Sequence, residues 1–459
     1  NTIDKDNNSN NNIVKENKDK NANKRTKPEK SFTNIFYTVS SNVNDRNGVL
    51  KHVHLVLERL GYEKSTNESP WNLLWSYPTP FTHMNLRNLS PGQKVNHFPG
   101  TGFISSKVVL ATSNSKYIPK AFRLPKDKEE FLKYSAENKN ALFVQKSNAH
   151  RHVYIKNVSD IDMTSGKTFV QEYVQKPFLV DGHKFDIGVY VVLKSVNPLR
   201  VYWYKGDVLF RYCMEKYYPF DPTNLDKYIV GDDYLPTWKV PSLKHSYTTL
   251  GNTMKEAFDI YVRSKGKDPT NLWEDVQKAI AEVFLMKESL IIDKSSENFF
   301  EMMRFDFILD EDLNVYLLEA NMGPNLSSNH YPPNQLLYEQ VIYNLTLPLL
   351  YLSTNPASAK NMVSAEKNIA VYGDECKTTC LENCDASDLC GLCRPCISDR
   401  LKRNLLAAHN EFLHKGDFRR IYPPPMTPNK VLTGRRFNET KHTDSPAYHW
   451  CFVFPLAVR

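Results

Sequence analysis

Hydrophobic positions along the chain follow two periods. Val49, Val53, Leu57 and Leu60 recur at helical spacing and Gly61 follows as a stop, which predicts an amphipathic helix inside a small N-terminal α/β unit. A second helical run extends from Trp273 to about Lys287. The runs 169–174, 185–193, 199–204, 305–309 and 315–320 are short and rich in β-branched and aromatic residues, and they predict buried or half-buried strands. The order is α/β throughout, an α+β arrangement, with no internal repeat at a period of 20 to 50 residues. Residues 1–31 are dense in Asn and Lys and almost devoid of large apolar side chains. Such a segment cannot bury enough surface to offset its ordering entropy, so a disordered arm is expected.

The densest chemistry sits in one predicted hairpin. Residues 301–310 read Glu-Met-Met-Arg-Phe-Asp-Phe-Ile-Leu-Asp, a polar turn covers 310–314, and 315–321 return as Val-Tyr-Leu-Leu-Glu-Ala-Asn. Strand side chains alternate faces, so Glu319 and Asn321 project to one side and the partner strand can bring Asp306 beside them. Two carboxylates and an amide oxygen suit Mg²⁺, which binds through few protein ligands and keeps positions for water and phosphate.

The segment 299–326 resembles the C-terminal metal motif of tubulin tyrosine ligase-like enzymes. Further matches run through Trp71-Asn72-Leu73-Leu74-Trp75-Ser76, Val95-Asn96-His97-Phe98-Pro99-Gly100 and residues 169–211, about 280 residues in the same order, and the likeness is strongest to divergent invertebrate members. The resemblance implies an ATP-grasp fold. Its expected parts are a small N-terminal α/β domain (32–110), a central domain (111–168) and a C-terminal domain that closes on ATP (169–352). A linker (353–370), a cysteine-rich module (371–400) and a basic tail (401–459) would follow.

The same resemblance assigns roles. Asp306, Glu319 and Asn321 would hold Mg²⁺; Gln171, Glu172, Tyr173 and Val174 would border adenine; Lys146, Arg151, Lys184 and Asp186 would line the phosphate side; and Lys184 and Arg211 would act in the reaction, Arg211 on an acyl phosphate. The implied activity is ATP-dependent addition of an amino acid, most plausibly glutamate, to tubulin or another acidic protein. Three departures weaken the match, one being that the family's His-x-Thr-Asn element has no counterpart in residues 232–247. Gly188 stands where the Lys-x-Asp-x-Arg strand of the family has its arginine, and the stretch after Lys146 lacks the glycines of the family's phosphate loop. One missing cation aimed at developing negative charge is worth on the order of 3 kcal/mol. Arg151 and Arg200 are the nearest replacements by sequence, and a catalytically silent scaffold that binds microtubules or another protein is the alternative reading.

Composition changes this picture in two places. The net charge of +8 divides into +3 over residues 1–31 and +6 over 401–459, which leaves −1 for 32–400, so the basicity belongs to the ends. Cationic arms that meet an acidic partner fit this better than a nucleic-acid groove, whose arginine and aromatic patterns are absent. No stretch is apolar enough to predict a membrane-spanning helix. Six of the eight cysteines, Cys376, Cys380, Cys384, Cys390, Cys393 and Cys396, lie within 21 residues. Zinc ligation and a disulfide staple compete there, and the spacing, without two separated Cys-x-x-Cys knuckles, favours disulfides. The family resemblance points to a cytoplasmic, cytoskeletal setting, whereas disulfides would point to the lumen of the secretory pathway.

Overall fold

In the computed structural model the longest strand, β9 (Phe185–Val196), organises the site. Its residues alternate Val, Tyr, Val and Leu with little polarity and are buried almost throughout, as a central strand covered on both faces must be. The structure describes residues 35–424 except 41–47, 66–70, 91, 148–153, 167, 292–296, 355–373, 387–389, 391–392 and 394. The expected arm 1–31, Arg151, most of the expected linker, Cys451 and the residues from 425 onward therefore lie outside the described residues.

β9 pairs along one edge with β13 (Glu301–Leu309), which turns back into β14 (Val315–Met322). Its other edge is shared in register by β11 (Leu209–Tyr212) at the start and β10 (Leu199–Tyr204) at the end. All of these neighbours are antiparallel to β9. The sheet is closed by β12 (Leu235–Pro236) beside β11 and by β15 (Phe418–Tyr422) beside β10. The chain from residue 401, expected as a basic tail, thus contributes the helix Asp399–His414 and this edge strand. Arg200 and Glu411 secure the attachment: they are 4% and 5% exposed, and Arg200 Nε and Nη2 donate to Glu411 at 2.9 and 3.2 Å.

Two smaller sheets flank this one. The N-terminal sheet is parallel, with β1 (Ile35–Ser40) between β2 (Tyr62–Lys64) and β3 (Leu73–Ser76), and β4 (Lys94–Val95) beyond β3. The helix Lys51–Arg59 lies where the Val49–Leu60 periodicity put it, and Gly61 ends it at a φ of 86°. In the middle sheet β6 (Phe143–Ser147) pairs with β7 (Tyr154–Lys156) and with β8 (Thr168–Glu172), which also pairs with β5 (Ala121–Arg123). β8 was expected to open the C-terminal domain and instead belongs with the strands before it.

The Val95–Gly100 motif is a clasp between sheets. Asn96 brackets the backbone of Ser76, accepting from its N–H at 2.7 Å and donating to its carbonyl at 2.9 Å. His97 reaches the Ser76 carbonyl at 2.9 Å through Nε2 and Glu301 of β13 at 3.1 Å through Nδ1. Glu301 also accepts from the Phe98 N–H and the Thr101 hydroxyl. Gly100 has a φ of 94°, and a Cβ there would lie 2.6 Å from Ile291 at the end of the helix Thr270–Ile291.

Candidate nucleotide and metal site

The hairpin brings its three oxygen-bearing residues together. Asp306 lies opposite Glu319 in the β13–β14 ladder, and a bulge follows between Asp306 and Phe307. Asn321, two residues beyond Glu319, donates through Nδ2 to Asp306 at 3.0 Å and to Glu319 at 3.1 Å. Among the described residues no cluster of three or more His, Cys, Asp or Glu is placed to hold an ion, and the third donor here is an amide. The set fits a hard divalent cation in kind, two carboxylates and an amide oxygen, and the hydrogen bonds from Asn321 Nδ2 draw both carboxylates together.

Cations surround these carboxylates. Lys107 reaches Glu319 at 2.9 Å. Burial works against the Glu319 anion, but Lys107 and the Asn321 hydrogen bond outweigh it and hold its carboxyl at about 2. Arg211 faces Asp186 across the β9–β11 pair, donates to both its oxygens at 2.9 and 2.7 Å, and extends to Asp306 at 3.2 Å. Burial lifts the Asp186 carboxyl to about 6 against the pull of Arg211. Arg304 donates to the two oxygens of Asp306 at 2.6 and 2.8 Å. Three carboxylates and three cations thus form one connected cluster across β9, β11, β13, β14 and the helix Lys107–Ala111.

The two lysines expected on the phosphate side are held separately. Lys146 on β6 donates to the Gln171 side chain at 2.8 Å; burial lowers its pKa to about 8, with Glu319 opposing that shift and Lys107 and Lys184 adding to it. Lys184 donates to the Tyr228 carbonyl at 2.8 Å and lies 5.0 Å from the centre of the Tyr173 ring, and burial lowers its pKa too. Gln171 also donates to the Pro119 carbonyl. Glu172 turns away and accepts from the Tyr134 hydroxyl at 2.7 Å. The N–H groups of Glu172 and Tyr173 bond the carbonyls of Lys120 and Leu142. What the segment 171–174 presents is therefore the Tyr173 ring, packed on Phe220 and Tyr228, and half-buried Val174.

Arg200 does not replace the missing arginine at position 188. It pairs with Ser195, seven residues along β9, roughly 23 Å away at strand rise, and its guanidinium is committed to Glu411. Two residues that sequence reasoning missed complete the site, Lys107 and Arg304. Arg304 stands two positions before Asp306 on the same strand, and alternation alone placed it on the same face. Nothing local marks Lys107, which meets Glu319 across more than two hundred residues of chain.

Away from this site, the six clustered cysteines stand in three pairs at disulfide distance: Cys376 with Cys393, Cys380 with Cys390 and Cys384 with Cys396. Cys213 is a buried free thiol whose pKa burial pushes up to about 12, which makes it inert at neutral pH. Among the described residues no helix is long and apolar enough to cross a membrane.

Residues 84–358 match the tubulin-tyrosine ligase family. The chain is 39% identical over 400 residues to the probable tubulin polyglutamylase ttll-15 of Caenorhabditis elegans, covering 82% of this chain and 78% of that one. It is 26% identical over 422 residues to the mouse tubulin polyglutamylase TTLL7, covering 81% of this chain but 45% of the mouse protein. To the zebrafish tubulin polyglutamylase ttll6 it is 24% identical over 331 residues, covering 65% of this chain and 42% of that relative.

Proposed function

Because this chain belongs to the tubulin-tyrosine ligase family, we propose that it is an ATP-dependent ligase that joins glutamate to a carboxylate of an acidic protein, tubulin being the acceptor named for its relatives. The observation that carries this reading is the convergence of Asp306, Glu319 and Asn321 on one point, with the Asp186–Arg211 pair beside them. These three residues would hold Mg²⁺, which would draw charge from the ATP phosphates. Lys146 and Lys184 lie on the phosphate side, and Tyr173 and Val174 border the adenine, with Gln171 holding Lys146 in place.

The reaction balances in two transfers. An acceptor carboxylate oxygen attacks the γ-phosphorus of ATP, the bond to the β-γ bridging oxygen breaks, and ADP leaves. The glutamate amine then attacks the acyl carbon, phosphate leaves with the former carboxylate oxygen, and one proton is released as the amide forms. Both steps concentrate negative charge, and Arg211, held flat against Asp186 by two hydrogen bonds, is oriented to meet it.

The three cysteine pairs support an oxidising compartment for this chain. There the acceptor would be an acidic protein other than cytosolic tubulin. A silent scaffold remains the second reading, favoured by a cluster whose carboxylates are already matched by Lys107, Arg211 and Arg304. Purified protein incubated with Mg-ATP, isotopically labelled amino acids, and either tubulin or a glutamate-rich peptide distinguishes the two. Labelled glutamate on the acceptor supports the ligase, and nucleotide binding without label on either acceptor supports the scaffold.

A further inference from the structure

Gly188 and Arg304 occupy one space. β9 and β13 run antiparallel with Gly188 opposite Asp306 and Tyr190 opposite Arg304. The Arg304 side chain lies over Gly188: a Cβ on residue 188 would stand 2.8 Å from Arg304 Cδ and 3.2 Å from its Nε. From that position the guanidinium spans both oxygens of Asp306, the residue across from the glycine. No turn or positive φ calls for glycine at 188, which sits inside a regular strand. Room for Arg304 is the requirement the structure does show.

We infer that Arg304 is a positioning residue for the nucleotide site, and that it supplies from β13 the positive charge that faces the phosphates beside position 188. It fixes Asp306 from one side while Arg211 fixes it from the other, so the carboxylate is gripped by two guanidiniums on different strands. Gly188 is then one half of a matched pair. A side chain at 188 and the arginine at 304 compete for one space, so an arginine at either position calls for glycine at the other. This inference rests on the proposed reading of the site as an ATP site.

The full chain carrying Arg304→Gln, Arg304→Lys, Gly188→Arg, or the exchange Gly188→Arg with Arg304→Gly tests it. Without nucleotide, Gly188→Arg should lower the thermal midpoint, and adding Arg304→Gly should return most of the loss. Calorimetry with Mg-ADP and with a non-hydrolysable Mg-ATP analogue reads the charge. Folded Arg304→Gln should lose about tenfold of the preference for the triphosphate, equivalent to roughly 1.4 kcal/mol, with ADP affinity within about twofold. Arg304→Lys should retain part of the preference and the exchange most of it. In the ligation assay Arg304→Gln should lower kcat about a hundredfold and raise KM for ATP about tenfold, in step with the lost triphosphate affinity. A folded Arg304→Gln with the wild-type triphosphate preference overturns the inference, as does an exchange that folds and recovers neither stability nor preference. If the wild type binds nucleotide but transfers no amino acid, the ligase reading fails while the triphosphate preference still decides the role of Arg304. A wild type that binds neither nucleotide overturns both.

Discussion

Glu411→Ala should release the C-terminal segment from the main sheet. Glu411 lies on the helix Asp399–His414 and accepts three hydrogen bonds in a buried place, from Arg200 Nε at 2.9 Å, Arg200 Nη2 at 3.2 Å and the Tyr202 hydroxyl at 2.9 Å. Hydrogen bonds to a charged group contribute about 1.5–3 kcal/mol each, but bonds that share one carboxylate do not add. Removing one member of a buried ion pair costs about 3–5 kcal/mol, much of it from the charge left behind. The adjacent Lys194 adds to this, because burial already lowers its pKa to about 8 and Glu411 is the anion that opposes the shift.

Hydrogen exchange is the suitable assay, since a chain of several packed sheets need not unfold in one step. Amides of β15 and of the helix should exchange about a hundredfold to a few thousandfold faster in Glu411→Ala, at tenfold per 1.4 kcal/mol, up to the limit set by global unfolding. Arg403→Ala is the control on the same helix: its partner Glu297 is 3.7 Å away and both side chains are more than half exposed, so it should change exchange less than threefold. The double variant Arg200→Met, Glu411→Leu should recover much of the protection, because it removes both charges together. Unchanged exchange in β15 of Glu411→Ala would refute the reasoning.

Three further outcomes follow from other residues. Glu319→Gln keeps the shape of the proposed Mg²⁺ site but removes one of its anions and the partner of Lys107, so the thermal stabilisation given by Mg-ATP should shrink by several degrees; an equal shift in both proteins would remove Glu319 from the site. His97 is lowered by burial but raised more by the Glu301 charge and hydrogen bonds, so its folded pKa lies above the ordinary value of 6.5. Its stabilisation is therefore fully present below pH 6.5 and lost as pH rises through the folded value, and the stability difference between wild type and His97→Gln should narrow over that window; a gap that widens with pH would contradict the assignment. A reductant should loosen residues 374–396 while a chelator leaves them intact, with all six thiols blocked in mass spectra of the unreduced chain; one zinc per chain with free thiols would overturn the disulfide reading.

The parts of this account that were legible in the sequence are those carried by local periodicity. The β13–β14 hairpin was readable because alternation and a polar turn fix which side chains share a face, and the observed bonds among Asp306, Glu319 and Asn321 follow from that alternation. Arg304 was missed although it shares the face of Asp306, and its path over residue 188 depends on β9 lying alongside, which no local pattern encodes. The helix Asn334–Thr354 runs through Pro348, although a proline removes a backbone donor and by local rules ends or kinks a helix. β15 was hidden by its basic company: Arg419 and Arg420 sit inside the strand, while Phe418, Ile421 and Tyr422 supply the buried face that secures it. Charge counting along the chain read this segment as a tail, because net charge carries no information about which side chains turn inward.

The path of one oxygen atom tests the proposed chemistry most directly. An acidic acceptor peptide carrying ¹⁸O in its side-chain carboxylates would be incubated with the purified protein, Mg-ATP and glutamate, and the released phosphate analysed by mass. Activation by phosphoryl transfer to the acceptor moves one labelled oxygen into phosphate for each glutamate joined, and Glu319→Gln should abolish phosphate release and ligation together. Ligation that yields only unlabelled phosphate, or ATP turnover independent of glutamate and acceptor, would contradict the account.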